Sequence, residues 1–447
     1  MKTTNLILAS IFIFASQLHS QYKAEWMADY TTAGNVSIDK AQFIAIDEGG
    51  NIIVTGVTNG SGINDDLTTI KYDKSGKQLW VAIYNGPGNY HDRPNGMVID
   101  QFSNVYITGG STGDNNTATD YFTVKYNTSG AEMWVARYAS PGGSGDESMS
   151  IAVDQLGNVY ITGKAARTVT DNSGMDWFTI KYNTNGQQIW AIGFDDQISN
   201  DGATALTIDP MGNVYVAGQC NSPAYTIAVI KYDSSGNQKW IARYNGSAIS
   251  DDKILDIKLD KINNVYITGY SSEQSKDFLT MKYDNNGNEI WKKNFNNLSN
   301  ISDEAYNLQI NDSGDVCVLG VTFNKVTKKH RSLVKYDKSG NEVWNKTSAK
   351  TVSHYFDKLS MIIDNESNML VTGSTQIVSE KDKIVTDMVV DCIDKNGTVL
   401  WQTMYSVKDK IPVASALAID ELGNIYATGF ILEKNGFQNY CTVKFSR

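Results

Sequence analysis

The chain has 447 residues, 41% of them hydrophobic and 11% aromatic, with 37 Gly against only 6 Pro and a formal net charge of −10. The acidity argues against a nucleic-acid role, the apolar content is ample for a large core, and the glycines fit many tight turns between short strands. Residues 1–20 read as a secretory signal: Lys2 gives a positive start, Leu6–Ala15 is a ten-residue apolar run, and a polar stretch ends at Ser20. Without Lys2 the charge moves from −10 to −11. The apolar run is too short to span a bilayer and no later segment qualifies, so no integral membrane segment is expected. The expected location is therefore secreted or periplasmic.

After the signal, residues 24–30 (AEWMADY) look like the tail of a repeat whose head is missing. A full unit then begins and recurs about every 50 residues, which points to a single closed or stacked array over 21–447 rather than several domains. Each unit opens on a head, D-x-x-x-N, an alternating strand and a Gly nine residues past the first Asp or Asn. Examples are Asp100/Asn104 to Gly109, Asp260/Asn264 to Gly269 and Asp420/Asn424 to Gly429. A third strand follows, as in IKYDKSGKQLW (70–80), and a fourth accompanies a Trp placed four residues after a Gly. Heads, third strands and Trp strands each number eight, the Trp being Trp26, Trp80, Trp134, Trp190, Trp240, Trp291, Trp344 and Trp401. Period-2 alternation with Asp/Asn/Gly turns gives four short strands per unit and no helix outside the signal. The predicted fold is an all-β, eight-bladed β-propeller of four-stranded antiparallel blades, with seven blades the alternative. The last unit ends on its third strand, YCTVKF (440–445), so residues 24–30 should complete the blade formed by 413–447 and close the ring.

These residues carry a resemblance to the bacterial secreted β-propeller repeats called SBBP, whose pattern is close to D-x-x-G-N-x-Y-x-T-G followed by Gly-x-x-x-Trp. It covers nearly all of 24–447 and implies an exported propeller with no assigned chemistry. The Gly-x-x-x-Trp ending also resembles the Trp-docking repeat of quinoprotein propellers, but the Asp stands three residues before the Gly where that family has four. Nor is there the adjacent Cys pair expected of those enzymes.

A residue found in seven or eight blades serves the blade, whereas a reacting group is needed once. The third-strand Lys series (Lys71, Lys125, Lys181, Lys231, Lys282, Lys335, Lys444) is thus expected to be paired or snorkelling between blades, the Trp series to pack blade against blade, and the head Asp to hold an Asx turn. A second series, Asp39, Asp92, Asp146, Asp201, Asp252 and Asp303, stands at the entrance to the innermost strand. It reads either as a channel rim that binds cations, calcium among them, or hydroxyls, or as blade-by-blade turn capping. A third series, Asp66, Asp120, Asp176, Asp277 and Asp387, opens the third strand on the same face of the disc.

That face also carries the variable links, longest at 164–175 and 374–386, and binding usually resides on such loops. The basic residues Lys325, Lys328, Lys329, His330 and Arg331, with His354, Lys381 and Lys383, make blades 6 and 7 the candidate binding sector for an anion or acidic glycan, against the duller reading of solvated loop charge. Cys220, Cys317, Cys392 and Cys441 are expected as buried single thiols. No nucleophile elbow, H-E-x-x-H or phosphate loop occurs. Two readings follow. One is a monomeric, non-catalytic exported propeller, without cofactor, that binds a protein or glycan on its long-loop face. The other is a propeller-fold enzyme, quinoprotein-like oxidoreductase or polysaccharide lyase or hydrolase.

Overall fold

The computed structural model describes residues 22–32, 38–59, 64–113, 118–141, 145–166, 174–195, 201–220, 226–246, 251–272, 275–296, 302–323, 329–352, 359–378 and 384–447. The segment read as a signal lies outside them. The described residues form thirty-two strands, β1–β32 in chain order, and no helix. They build eight four-stranded antiparallel blades in a ring: 40–84, 92–138, 147–194, 202–244, 253–295, 303–352, 360–405 and 411–446, the last completed by the N-terminal strand.

Strand character follows position in the blade. The first strand of each blade lies innermost and contacts the first strands of its neighbours. The second is sandwiched between blades on both faces, so Val105–Thr112 (VYITGGST) is buried at every residue. The outer strand is half exposed, as in Gln78–Tyr84. Thr of the Thr-Gly pair sits in the buried strand because its hydroxyl meets a third-strand Thr, at 2.8 Å for Thr55–Thr69 and 2.9 Å for Thr162–Thr179. The Gly after it faces a β-bulge in the first strand. A Cβ at Gly429 would stand 1.8 Å from the Val413 carbonyl oxygen, so only glycine fits.

The two turn motifs have separate jobs. In D-x-x-G-N the head carboxylate organises its own turn: Asp100 accepts the backbone N–H of Phe102 and Asn104 at 2.9 Å, the Asn104 amide at 2.8 Å and the Tyr106 hydroxyl at 2.8 Å. In Gly-x-x-x-Trp the two ends serve different blades. The Trp80 indole N–H donates to the Thr128 carbonyl of the next blade at 3.1 Å, and its ring covers Gly130 there. Gly130 has φ +82°, and a Cβ on it would meet the ring at 2.6 Å. The third-strand Lys71 reaches the same carbonyl at 3.2 Å while pairing with Asp47 at 2.7 Å, and the Trp and Lys of later blades repeat the arrangement. Lys125, Lys181, Lys231 and Lys282 also lie 4.8–4.9 Å from a Tyr ring centroid. Both series are blade-to-blade structure, as expected. The four cysteines are buried thiols, with burial pushing Cys317 and Cys392 up to about 12.

Closure occurs where the repeat count placed it. β1 (Lys23–Tyr30) pairs antiparallel with β32 (Gln438–Ser446), from Lys23 opposite Ser446 to Tyr30 opposite Tyr440. Trp26 then docks on blade 1, donating to the Lys74 carbonyl at 3.0 Å over Gly76. Blade 8 lacks a third-to-fourth-strand turn for Trp401 to cover. Tyr22 stands there instead, its ring centroid 4.4 Å from that of Trp401.

Two features differ from the sequence expectation. The separation into four-stranded blades fails once, because β25 (Glu342–Val352) is long enough to pair with β27 (Met369–Val378) through Thr351–Gln376 and Val352–Thr375, joining blades 6 and 7 into one sheet. The link read as a loop at 374–386 is mostly strand, since β27 runs to Val378 and β28 begins at Ile384 (Ile384–Ile393). The two strands stay in register there, from Gln376 opposite Thr386 to Val378 opposite Ile384.

Candidate functional site at the junction of blades 6 and 7

The entrance carboxylates are buried latches. Asp39, Asp92, Asp146, Asp201, Asp252 and Asp303 are all buried. Asp39 accepts the N–H of Thr32 from the preceding connection at 2.9 Å and that of Asn59 at the end of its own second strand at 3.0 Å. The amide twenty residues on recurs as partner for Asp146 (Ala166, 2.9 Å), Asp252 (Ser272, 2.9 Å) and Asp303 (Phe323, 3.3 Å). The Asp backbone N–H in turn donates to the third strand of the preceding blade, as from Asp92 to the Asp65 carbonyl at 2.7 Å. Burial pushes the Asp92 and Asp146 carboxyls above the usual range even though amides and hydroxyls pull the other way. This is the turn-capping arrangement.

The third series is more varied. Asp120 holds Arg137 at 3.0 Å and Asp387 accepts from Ser406 at 2.7 Å. Asp176, Asp195 and Asp201 bring one carboxylate oxygen each within 4.8 Å of the others, a spacing at which three carboxylates can share one cation. Asp66 is pushed up to about 6, first by burial and then by the charges of Asp92 and Asp65. A carboxyl raised in the fold favours folding below its unfolded value near 4 and loses that contribution as pH rises through about 6. Asp66→Asn should therefore raise stability at pH 8 by about 1 kcal/mol, after discounting for its partial exposure, and leave it unchanged at pH 4. Urea unfolding at the two pH values reads this; equal effects at both would contradict it.

Of the basic sector, Lys325, Lys328, His354, Lys381 and Lys383 lie outside the described residues. Lys329, His330 and Arg331 open β24 (Lys329–Tyr336). Lys329 lies 5.5 Å from the Phe323 ring centroid, and His330 Nδ1 is 2.9 Å from the Ser348 carbonyl oxygen. Arg331 points the other way. Strand alternation puts it on the face shared with Leu333 and Lys335, towards blade 7, where it is buried and ion-paired with Asp391 of β28. The Gln402 amide donates to the other oxygen of Asp391.

This pair exists at one junction only. The column of Arg331 is otherwise Leu67, Tyr121, Trp177, Ile227, Phe278, Met388 and Tyr440, and that of Asp391 is otherwise aliphatic or Met. Ser348 breaks a third column: the residue four past the blade Trp is Tyr or Phe in all seven other blades. Elsewhere these positions fill the gap between blades, as in the stacked Tyr84–Phe122 and Tyr138–Phe178 pairs with centroids 5.1 and 4.6 Å apart. Between blades 6 and 7 a cavity of about 730 Å³ remains. It is lined by β24, β25, blade 7 and residues 22–24, with Leu333, Val371, Ile393, Val399 and Met404 apolar and Arg331, Asp391 and Gln402 polar. Lys23 and Lys346 stand exposed at its edge. Asp391, Gln402 and Ser348 escaped the sequence reading because it sought charge on loops. The signal was there in the strand columns, where a single blade departs from the other seven.

The short-turn face has its own departure. Phe102, Leu156, Met211, Ile262 and Leu422, each two residues past a head Asp, are exposed.

Comparison with known proteins agrees with the fold. The chain is similar to the uncharacterized WD repeat-containing protein L264 of Acanthamoeba polyphaga mimivirus, 23% identical over 63% of this chain, and spans 29% of the length of that relative. Among solved structures it is similar to the WD40 domain of SCAP from fission yeast, with 9% identity, 94% of this chain and 97% of that one covered, and a TM-score of 0.50. A PL25 ulvan lyase gives 14% identity, 85% and 96% coverage and a TM-score of 0.46. Such likenesses concern the fold alone. The SBBP beta-propeller repeat matches residues 80–115 and 134–165. The chain is therefore an eight-bladed β-propeller in which two segments match the SBBP beta-propeller repeat.

Proposed function

We propose that this propeller is an exported, non-catalytic binding scaffold that meets a protein or glycan partner on its long-loop face, in the sector of blades 6 and 7. One observation carries the reading. The charged series repeated around the ring are engaged in holding blades together, while the junction of blades 6 and 7 breaks the repeat and opens its third strand on the basic pair Lys329 and His330. No helix among the described residues is long and apolar enough to cross a membrane.

A melting screen with calcium chloride, EDTA and neutral and acidic oligosaccharides tests it, because a ligand at a hundred times its Kd adds about 2.7 kcal/mol to the native state. Acidic oligosaccharides should raise the midpoint by several degrees, and Lys325→Ala/Lys328→Ala/Lys329→Ala should abolish the rise. Leu156→Ser/Met211→Ser on the opposite face should leave it intact. Loss of binding in that second variant instead would move the interaction to the exposed apolar turns.

A further inference from the structure

We propose that the cavity between blades 6 and 7 is a binding site for a small anionic amphiphile, an apolar body of roughly fifteen to twenty heavy atoms bearing one carboxylate or sulfonate. This stands apart from the loop-face reading and does not depend on it.

The void is not forced by the architecture. Seven other junctions fill the same place with large apolar side chains, so a filler for this one is present in every other repeat. Emptying a core position of an aromatic ring costs about 3–5 kcal/mol, which makes an unfilled gap a liability unless something occupies it. Its volume of about 730 Å³ falls within the range of pockets that hold small molecules, as does the pattern of apolar walls with a few convergent polar groups.

Charge selects the ligand. Arg331, Lys23 and Lys346 face a single acid, Asp391, in a chain whose net charge is −10. Arg331 gives one terminal nitrogen to Asp391, and its other, Nη1, is buried with no hydrogen-bond partner. A buried donor left unmatched costs about 1–3 kcal/mol, more when charged, and an anionic head supplies the missing acceptor. Gly373 makes room for this arginine, since a Cβ there would stand 3.2 Å from Arg331 Cδ. The apolar body then lies against Leu333, Val371 and Ile393, with the two lysines drawing the anion to the mouth.

The probe is 8-anilinonaphthalene-1-sulfonate, whose fluorescence rises in apolar surroundings. It should bind the full chain at one site with Kd on the order of 10 µM. Decanoate should displace it at least ten times better than decanol, and decylammonium should fail. Arg331→Tyr/Ser348→Tyr/Asp391→Val restores the residues of the other blades; it should fold, melt no lower than the parent, and lose at least ten-fold in probe affinity. Should that variant fail to fold, Val399→Trp at the mouth is expected to block the probe, and Lys346→Glu to weaken it at least five-fold without affecting decanol. Absence of saturable binding, retention of it in the refilled chain or in Val399→Trp, or equal displacement by decanol and decanoate would each overturn the proposal.

Discussion

Deleting residues 22–30 should lower the melting temperature by more than about 10 °C and drive the protein to aggregate. Those nine residues include all of β1, which covers the outer edge of β32 along its length. They also carry Trp26, which locks blade 8 to the turn of blade 1, and Tyr22, which stacks on Trp401, donates its hydroxyl to the Gly423 carbonyl at 3.1 Å and accepts Thr403 on its own carbonyl at 3.0 Å. Glu25 pairs with Lys444 at 2.8 Å. Tyr22 is buried and contributes about 1.5–3 kcal/mol, the half-buried Trp26 and Tyr30 add less, and the deletion would also leave a full strand edge open. Circular dichroism on heating with size-exclusion chromatography reads both effects. A monomeric protein that melts within two or three degrees of the parent would show that the ring holds without its N-terminal strand. Adding a synthetic peptide of residues 22–32 should restore part of the loss, because pairing along β32 needs no covalent link.

Gly429→Ala is the second large effect expected, a loss of about 3 kcal/mol or more. The new Cβ would sit 1.8 Å from the Val413 carbonyl oxygen and 3.0 Å from the Ala414 Cα, both backbone atoms of the bulged first strand, so no side chain can swing away to relieve it. Two other glycines calibrate the number. At Gly145 a Cβ meets nothing within 4 Å and alanine should be neutral. Gly436 is equally open but has φ +88°, so alanine there should cost only about 1 kcal/mol from backbone strain. Chemical denaturation of the three variants checks the order, and a Gly429→Ala no worse than Gly436→Ala would mean the bulge relaxes freely.

Blade count, strand order and closure were legible because a propeller writes the same local physics eight times. The head Asp must satisfy its turn, the Gly before every blade Trp except Trp26 must lie flat under an indole, and the Lys must reach the carbonyl that the indole shares, so each demand returns at a fixed spacing. The same comparison separated the entrance carboxylates into two readings, and their buried contacts with backbone amides are those of turn caps. The merging of blades 6 and 7 was not legible, since it depends on two long strands meeting beyond the disc. Arg331 shares its face of β24 with Lys335 by alternation, but its partner Asp391 lies on another blade and no spacing within the unit names it.

By itself the sequence determined the repeating unit, the number of units and how the ends of the chain join, because those follow from turn chemistry and alternation within about fifty residues. Only the tertiary structure decided that Arg331 and Asp391, sixty residues apart, share one buried contact and that Ser348 leaves a cavity beside them. Packing across blades is a property of facing surfaces: the strand columns mark these residues as departures from the repeat, but not that they face one another.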